Sequence, residues 1–234
     1  ARLEELARKG IADLLKYQDP DGGFRLWPGG IIYPYSSIYI TWALLRAREA
    51  GFAVPDESLR RATGYLTKVL RGVDLHKTWW YYSYSLRIYA GWVLTELARL
   101  QVLTPQELDA MQLTRHLYQL YGERAKVGFL ARAWLLHALW RLEGTSEYVR
   151  TLLRDLENSV VETAAGAHFA ESAADGLALL MHSEARTDAV VLRVLLDVNP
   201  KHLLLPKVVR GLMSSRVRGG WGSSQGNAFV LDGL

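Results

Sequence analysis

Hydrophobic positions along this chain fall into two alternating patterns. Residues 55–71 (PDESLRRATGYLTKVLR) place Leu59, Ala62, Leu66, Val69 and Leu70 on one face, with Arg60, Arg61 and Lys68 opposite. Residues 104–121 open on Thr104-Pro105-Gln106-Glu107, a capping box with Pro at the first helical position. Residues 145–160 carry Val149, Leu152, Leu153, Leu156 and Val160 on one stripe. These spacings predict three one-sided helices that keep one face wet. Between them lie segments that are apolar nearly all round: 36–48, 83–98, 127–142, 187–198 and 226–234. A helix apolar on every side must be surrounded by protein, so these segments read as buried helices. The first three begin at a spacing of about 45 residues, within the range of repeat architectures. Strand signals are sparse. WWYYSY at 79–84 and GAHFAES at 166–172 read as short extended pieces.

Buried helices alternating with half-wet ones suit an all-α fold of two kinds. An open solenoid of helix pairs keeps its inner helices polar along a wet concave face. A closed α/α toroid, an inner ring wrapped by an outer ring in the manner of the terpenoid cyclases, makes the inner helices dry, and the pattern favours it. Two glycine-rich loops fit the same picture. QDPDGGFRLWPGG at 18–30 is dense in turn chemistry yet keeps Phe24 and Trp27, and GGWGSSQGNAF at 219–229 partly echoes it around Trp221. The expectation is that Phe24, Trp27 and Trp221 cap the inner core. Trp42, Trp92 and Trp134 sit on the apolar segments and are expected to be buried.

Composition narrows the function classes. The 234 residues are half apolar, which argues against disorder, and no apolar run nears the roughly 20 residues of a membrane span. There is no cysteine, so these residues hold no disulfide, zinc-thiolate or cysteine nucleophile. The net charge of +4 is spread along helical faces beside acids, without the basic-aromatic stripe that binds nucleic acid. No metal constellation and no cofactor motif is present. The chain starts on charged helix (ARLEELARKG) without an initiator Met and stops inside an apolar helix at Leu234, so both ends read as cut. One toroid domain over 1–234, lacking its first helix or hairpin, is the expectation.

Among toroid enzymes, terpene cyclases that protonate their substrate need an Asp-rich DxDD acid, and prenyltransferases need a zinc site with Cys; both are absent. The (α/α) glycosidases need a carboxylate pair across the scissile bond. Glu171, Asp175, Glu184 and Asp188 are available, but all lie in one stretch. The enzyme reading therefore stands as the alternative.

A closer likeness lies elsewhere. DGGFRLWPGGIIYPYSSIYITWALLRAREAGFAVPDESLRRATGYL, HSEARTDAVVLRVLL and LLPKVVRGLMSSRVRGGWGSSQGNAFVLDGL resemble, in order, the thioester-containing domain of bacterial alpha-2-macroglobulins. Residues 72–165 match by helix pattern alone. The resemblance implies a non-enzymatic part of a complement-like protease trap, in which a protease cuts a bait region and a buried thioester then captures it. It also implies a secreted or periplasmic, possibly lipid-anchored parent whose partners are target proteases and the neighbouring complement-like and macroglobulin domains. It implies no membrane contact by this domain. The family's thioester joins a Cys to a Gln in C-x-E-Q. Here no Cys exists and no Gln has that context, so the reactive motif is absent and is expected upstream of Ala1.

By helix order, the rim that would face the thioester is Tyr35, Ser36, Trp80, Tyr82 and Tyr84. No His stands there, His76 being the nearest in sequence. The run Trp79-Trp80-Tyr81-Tyr82 reads first as core or plug. His168 reads as packed or hydrogen-bonded and His137 as a core histidine. Between His182 and Asp188, Ser183 or Asp188 is expected to cap a helix.

Overall fold

A computed structural model describes residues 2–73, 84–171 and 183–234. It contains α1 (Arg2–Lys16), α2 (Pro34–Glu49), α3 (Asp56–Arg71), α4 (Tyr84–Arg99), α5 (Pro105–Ala110), α6 (Leu113–Gly122), α7 (Phe129–Glu143), α8 (Glu147–Glu157), β1 (Val161–Thr163), β2 (Gly166–His168), α9 (Glu184–Val198), α10 (Leu205–Ser214) and α11 (Ser224–Gly233). The fold is all-α. Two compact units are resolved, residues 1–119 and 120–234, each with its own core.

The five segments apolar all round are α2, α4, α7, α9 and α11. Trp42, Trp92 and Trp134 are 3%, 4% and 1% exposed, as their positions predict. The one-sided segments are α3, α6 and α8, burying Leu59, Leu66 and Leu70, Leu117 and Leu120, and Val149, Leu152 and Leu156.

Within the first unit, α2 and α4 run parallel. Tyr35 near the start of α2 meets Tyr89, while at the far ends Arg46 donates to Glu96 and Arg99 donates to Glu49. Among the described residues, α3 lies between them in the chain, and it runs back the other way. Its last turn accepts from the start of α4: Arg87 Nε donates to the Leu70 carbonyl at 2.9 Å.

The second unit repeats the arrangement. Glu171 touches the first turns of both α7 and α9, and His137 and Asp197 meet further along the same two helices at 3.0 Å. Gly226 lies against Ser183 and Gly233 against Ala189, so α11 is parallel to α9. Parallel dry helices joined by wet return helices explain the two hydrophobic patterns.

Several details depart from the sequence reading. Residues 104–121 form two helices. Thr104 and Glu107 make the expected capping box, but Gln112 takes a left-handed φ of 56° and ends α5. The break frees α6 to seat Leu113, Leu117 and Leu120, while α5 buries nothing. Tyr84 starts α4 and is not extended. GAH at 166–168 is a strand, paired with Val161–Thr163, which sequence reasoning left unassigned.

The loop at 18–30 is only partly a core plug. Phe24 is fully buried and donates its N–H to Ser37 Oγ at 2.8 Å. Gln18 ties the loop to α3, donating to the Ser58 carbonyl at 2.8 Å and accepting from Ser58 Oγ and Arg61. At Gly22, φ is 96° and a Cβ would sit 1.9 Å from the Arg61 carbonyl oxygen, so only glycine fits. Trp27, expected inside, is 52% exposed, because the loop folds on itself and lays the indole over Gly30 and near Tyr33. Trp221 is 8% exposed and donates its indole N–H to the Leu212 carbonyl.

Candidate functional site

Two places draw chemistry-bearing residues together. The first is the start of α2. Tyr35 and Ser36 are half-buried there, and Tyr84 is half-buried at the start of α4. Tyr35 stacks on Tyr39 with nearly coplanar rings 6.5 Å apart. Tyr39 continues to Trp42, and Tyr89 continues to Trp92. The i, i+4, i+7 positions of α2 thus build an aromatic ladder against α4, worth more than its buried area through edge and offset ring contacts. Trp80 and Tyr82, the remainder of the expected rim, lie outside the described residues, as do His76, Trp79, Tyr81, Asp175 and His182.

The second is where β2 meets α9 and α10. Glu171 is the N-terminal cap of α7. Gly128 at the cap position has no side chain to offer, and Glu171 supplies the acceptors from 41 and 42 residues away, taking the N–H of Phe129 at 2.9 Å and of Leu130 at 2.6 Å. A carboxylate at a helix N-terminus meets both the orphan donors and the positive end of the helix dipole. Thr187 Oγ1 donates to the same carboxylate at 3.1 Å. Glu171 is therefore a joint between α7 and α9.

Asp188 lies one residue on, 4% exposed. Its Oδ1 accepts the Phe169 N–H at 2.8 Å, so it anchors the chain leaving β2. Burial pushes the Asp188 carboxyl up to about 7, with the nearby Glu184 and Glu171 carboxylates adding to the effect and the Phe169 hydrogen bond opposing it. Helix capping at this turn falls to Ser183, whose Oγ accepts from Arg186 N at 3.1 Å. His168 is half-buried on β2, facing the same place.

Asp188 and His168 border a cleft of about 330 Å³, lined also by Gly166 of the hairpin, Glu184 of α9, and Ser214 and Ser215 of α10 among others. The hairpin sits directly on α10. A Cβ at Gly166, where φ is 145°, would lie 2.4 Å from Gly211 N, and one at Gly211 would lie 2.4 Å from the Ala167 oxygen. Backbone on backbone leaves the cleft beside the contact. Among the described residues, no group of three or more His, Asp or Glu side chains could hold a metal ion.

Elsewhere, His137 is the core histidine expected, fully buried with Nε2 at 3.0 Å from Asp197 Oδ2. Burial pushes the Asp197 carboxyl up, but the His137 hydrogen bond and the Arg193 and Arg141 charges outweigh it and hold the group below its ordinary value. The roles of Glu171 and Asp188 were missed in the sequence. One signal was present: Asp188 interrupts the apolar run of α9, and a buried charge on a dry helix is rarely idle.

No protein-family model and no curated protein matches the chain. Solved structures do. A trypsin-activated alpha-2-macroglobulin from Escherichia coli aligns with 96% of this chain at TM-score 0.67 and 20% identity. Salmonella alpha-2-macroglobulin reacted with methylamine aligns with 96% at TM-score 0.68 and 22% identity. In both, this chain covers 14% of the matched protein. A native E. coli piece running from domain MG7 to the C-terminus aligns with 97% of this chain, which covers 33% of it, at TM-score 0.65 and 22% identity. At such identities the likeness speaks for architecture: the chain has the all-α fold of one segment of the bacterial alpha-2-macroglobulins.

Proposed function

We propose that this chain is the thioester-domain-like portion of a protease-trapping protein of the alpha-2-macroglobulin kind. Its own residues act as a structural and interaction domain and carry no reactive thioester. The observation that carries the reading is the fold likeness across 96–97% of the chain to proteins that it spans only in part. Three sequence runs resembling the same family support it independently. In this reading the partners are the attacking protease, met through the whole protein, and the complement-like and macroglobulin domains beside this one. The parent works in the periplasm or outside the cell. No helix among the described residues is long and apolar enough to cross a membrane.

A thioester traps by single-use acyl transfer and needs a cysteine sulfur and a glutamine acyl carbon at one site. This chain has six glutamines and no cysteine. The test is the denatured intact mass of the 234-residue chain after exposure to methylamine. The expected result is an unchanged mass. A methylamine-dependent gain would overturn the reading.

The rival, a toroid enzyme, has one observation in its favour: Asp188 is held near the pKa of a general acid beside a cleft. Against it, Glu171 is committed to three donors, and Glu184 and Asp188 stand on the same helix four residues apart. An acid and base acting across a bond need opposite walls.

A further inference from the structure

From the cleft between the β1–β2 hairpin, the first turns of α9 and the end of α10, we infer a binding site for a small organic cation, an alkylammonium such as a lysine side chain carries. The inference is independent of the protease-trap reading.

Four observations carry it. The cleft, at about 330 Å³, is many times larger than a bare ion, and Ala165, Ala185, Gly166 and Gly211 give it apolar surface for a hydrocarbon stem. Among the described residues, Glu184 at its mouth and Asp188 at its floor have no ion-pair partner. Asp188 is 4% exposed and lines the cleft; among the described residues it accepts one hydrogen bond, from Phe169 N–H to Oδ1, and none reaches Oδ2. The fourth is the end of α10 on the same cleft, through Ser214 and Ser215, where the negative end of its dipole favours a cation.

The competing features are accounted for. The N-terminus of α9 also opens here, but its positive end is met by Glu184 and by Ser183 Oγ, which accepts from Arg186 N. Arg186 is not among the residues lining the cleft and donates to Gln225 Oε1 beside the Phe229 ring, and Lys207 of α10 is engaged by Glu162 of β1. Among the described residues, the titratable groups around Asp188 are Glu184 on its own helix, Glu171 from the segment after β2, and His168 on β2. The size of the cleft and its Ala and Gly surface suit an organic cation with a hydrocarbon stem. Binding an ammonium favours the ionised carboxylate, so a fraction of a proton leaves Asp188 as the ligand enters near neutral pH.

The experiment titrates the chain with n-butylammonium chloride, following backbone amide resonances, with n-butanol and sodium chloride as controls. Saturable shifts centred on Gly166, Phe169, Gly211 and Ser215 are expected, with none for butanol. Binding should tighten about tenfold or more from pH 5 to pH 8, as Asp188 ionises. Asp188→Asn and Glu184→Gln should each weaken it about tenfold, with no more than a small drop in melting for the exposed Glu184→Gln, which gives up its charge at the start of α9. If Asp188→Asn does not fold, Glu184→Gln and the pH series decide. No saturable shift, equal response to butanol, or indifference to Glu184→Gln and to pH would each overturn the site. Such binding is non-covalent and leaves the denatured mass unchanged, so its outcome is separate from the methylamine test.

Discussion

Asp188 connects one residue to a measurable property of the whole chain. Its carboxyl is raised from about 3.8 unfolded to about 7 folded, so the native state holds its proton more tightly than the unfolded chain does. The stabilisation is complete below pH 4 and is lost as pH rises to about 7. A gap of this size is worth at most about 4 kcal/mol by linkage. Asp188→Asn keeps an acceptor for Phe169 N–H and removes the titration. We expect the variant to match the parent near pH 4 and to exceed it in urea midpoint at pH 8. A constant difference across that range would contradict the burial of the ionisable group. Asp197 runs the other way, since its lowered carboxyl stabilises above its unfolded pKa and is lost as pH falls through the folded one. Glu171→Ala should cost about 1–3 kcal/mol, because it strips the cap from α7 and leaves two N–H groups and Thr187 Oγ1 without their acceptor. A loss below about 0.5 kcal/mol in chemical denaturation would show that water replaces the carboxylate. At this scale the sequence was partly readable. Ser183 as a cap and His137 as a core residue followed from position along a helix. Glu171 did not, because its acceptors serve a helix about forty residues earlier, and no local pattern encodes that distance.

Helices were the most legible layer, for a simple reason. Burial on all sides leaves an unbroken apolar signature, and α2, α4, α7, α9 and α11 each carry it. Replacing Trp42, Trp92 or Trp134 by Ala should cost about 3–5 kcal/mol in denaturant titration. Losses below about 1 kcal/mol for all three would mean that these helices are not the core. Charge then sets the register between dry helices. Glu96, 1% exposed, takes Arg46 and Arg99 at the far end of the α2–α4 pair. Glu96→Ala should cost about 1–3 kcal/mol, since it removes the buried acceptor that Arg46 and Arg99 share while Glu49 still pairs with both, whereas removing the exposed Arg61–Glu57 pair should cost under about 1 kcal/mol. Equal effects at the two sites would show that the Glu96 network is solvated. What the pattern could not foresee was irregularity. The break at Gln112 and the pairing of Val161–Thr163 with Gly166–His168 are tertiary choices, the first made by the seating of α6 and the second by the glycine contact with α10. Trp27 shows the same limit. A large aromatic in a loop predicted burial, and the loop instead covered it in part with its own Gly30.

At the scale of the molecule, the likeness to bacterial alpha-2-macroglobulins gives the architecture, and the 234 residues contain no cysteine. In the proposed reading, a domain with that fold and without the thioester cysteine contributes shape, cover and contact to the protease trap. The direct test uses the whole protein encoded by the gene that contains this segment, mixed with trypsin and separated by size under native conditions. Trypsin activity is then read on a short peptide and on a large protein substrate. The account predicts limited cleavage of the protein, trypsin eluting with it, and peptide hydrolysis retained while hydrolysis of the large substrate falls, because a held protease is closed to bulky substrates. Trypsin eluting free, with both activities intact, would contradict it.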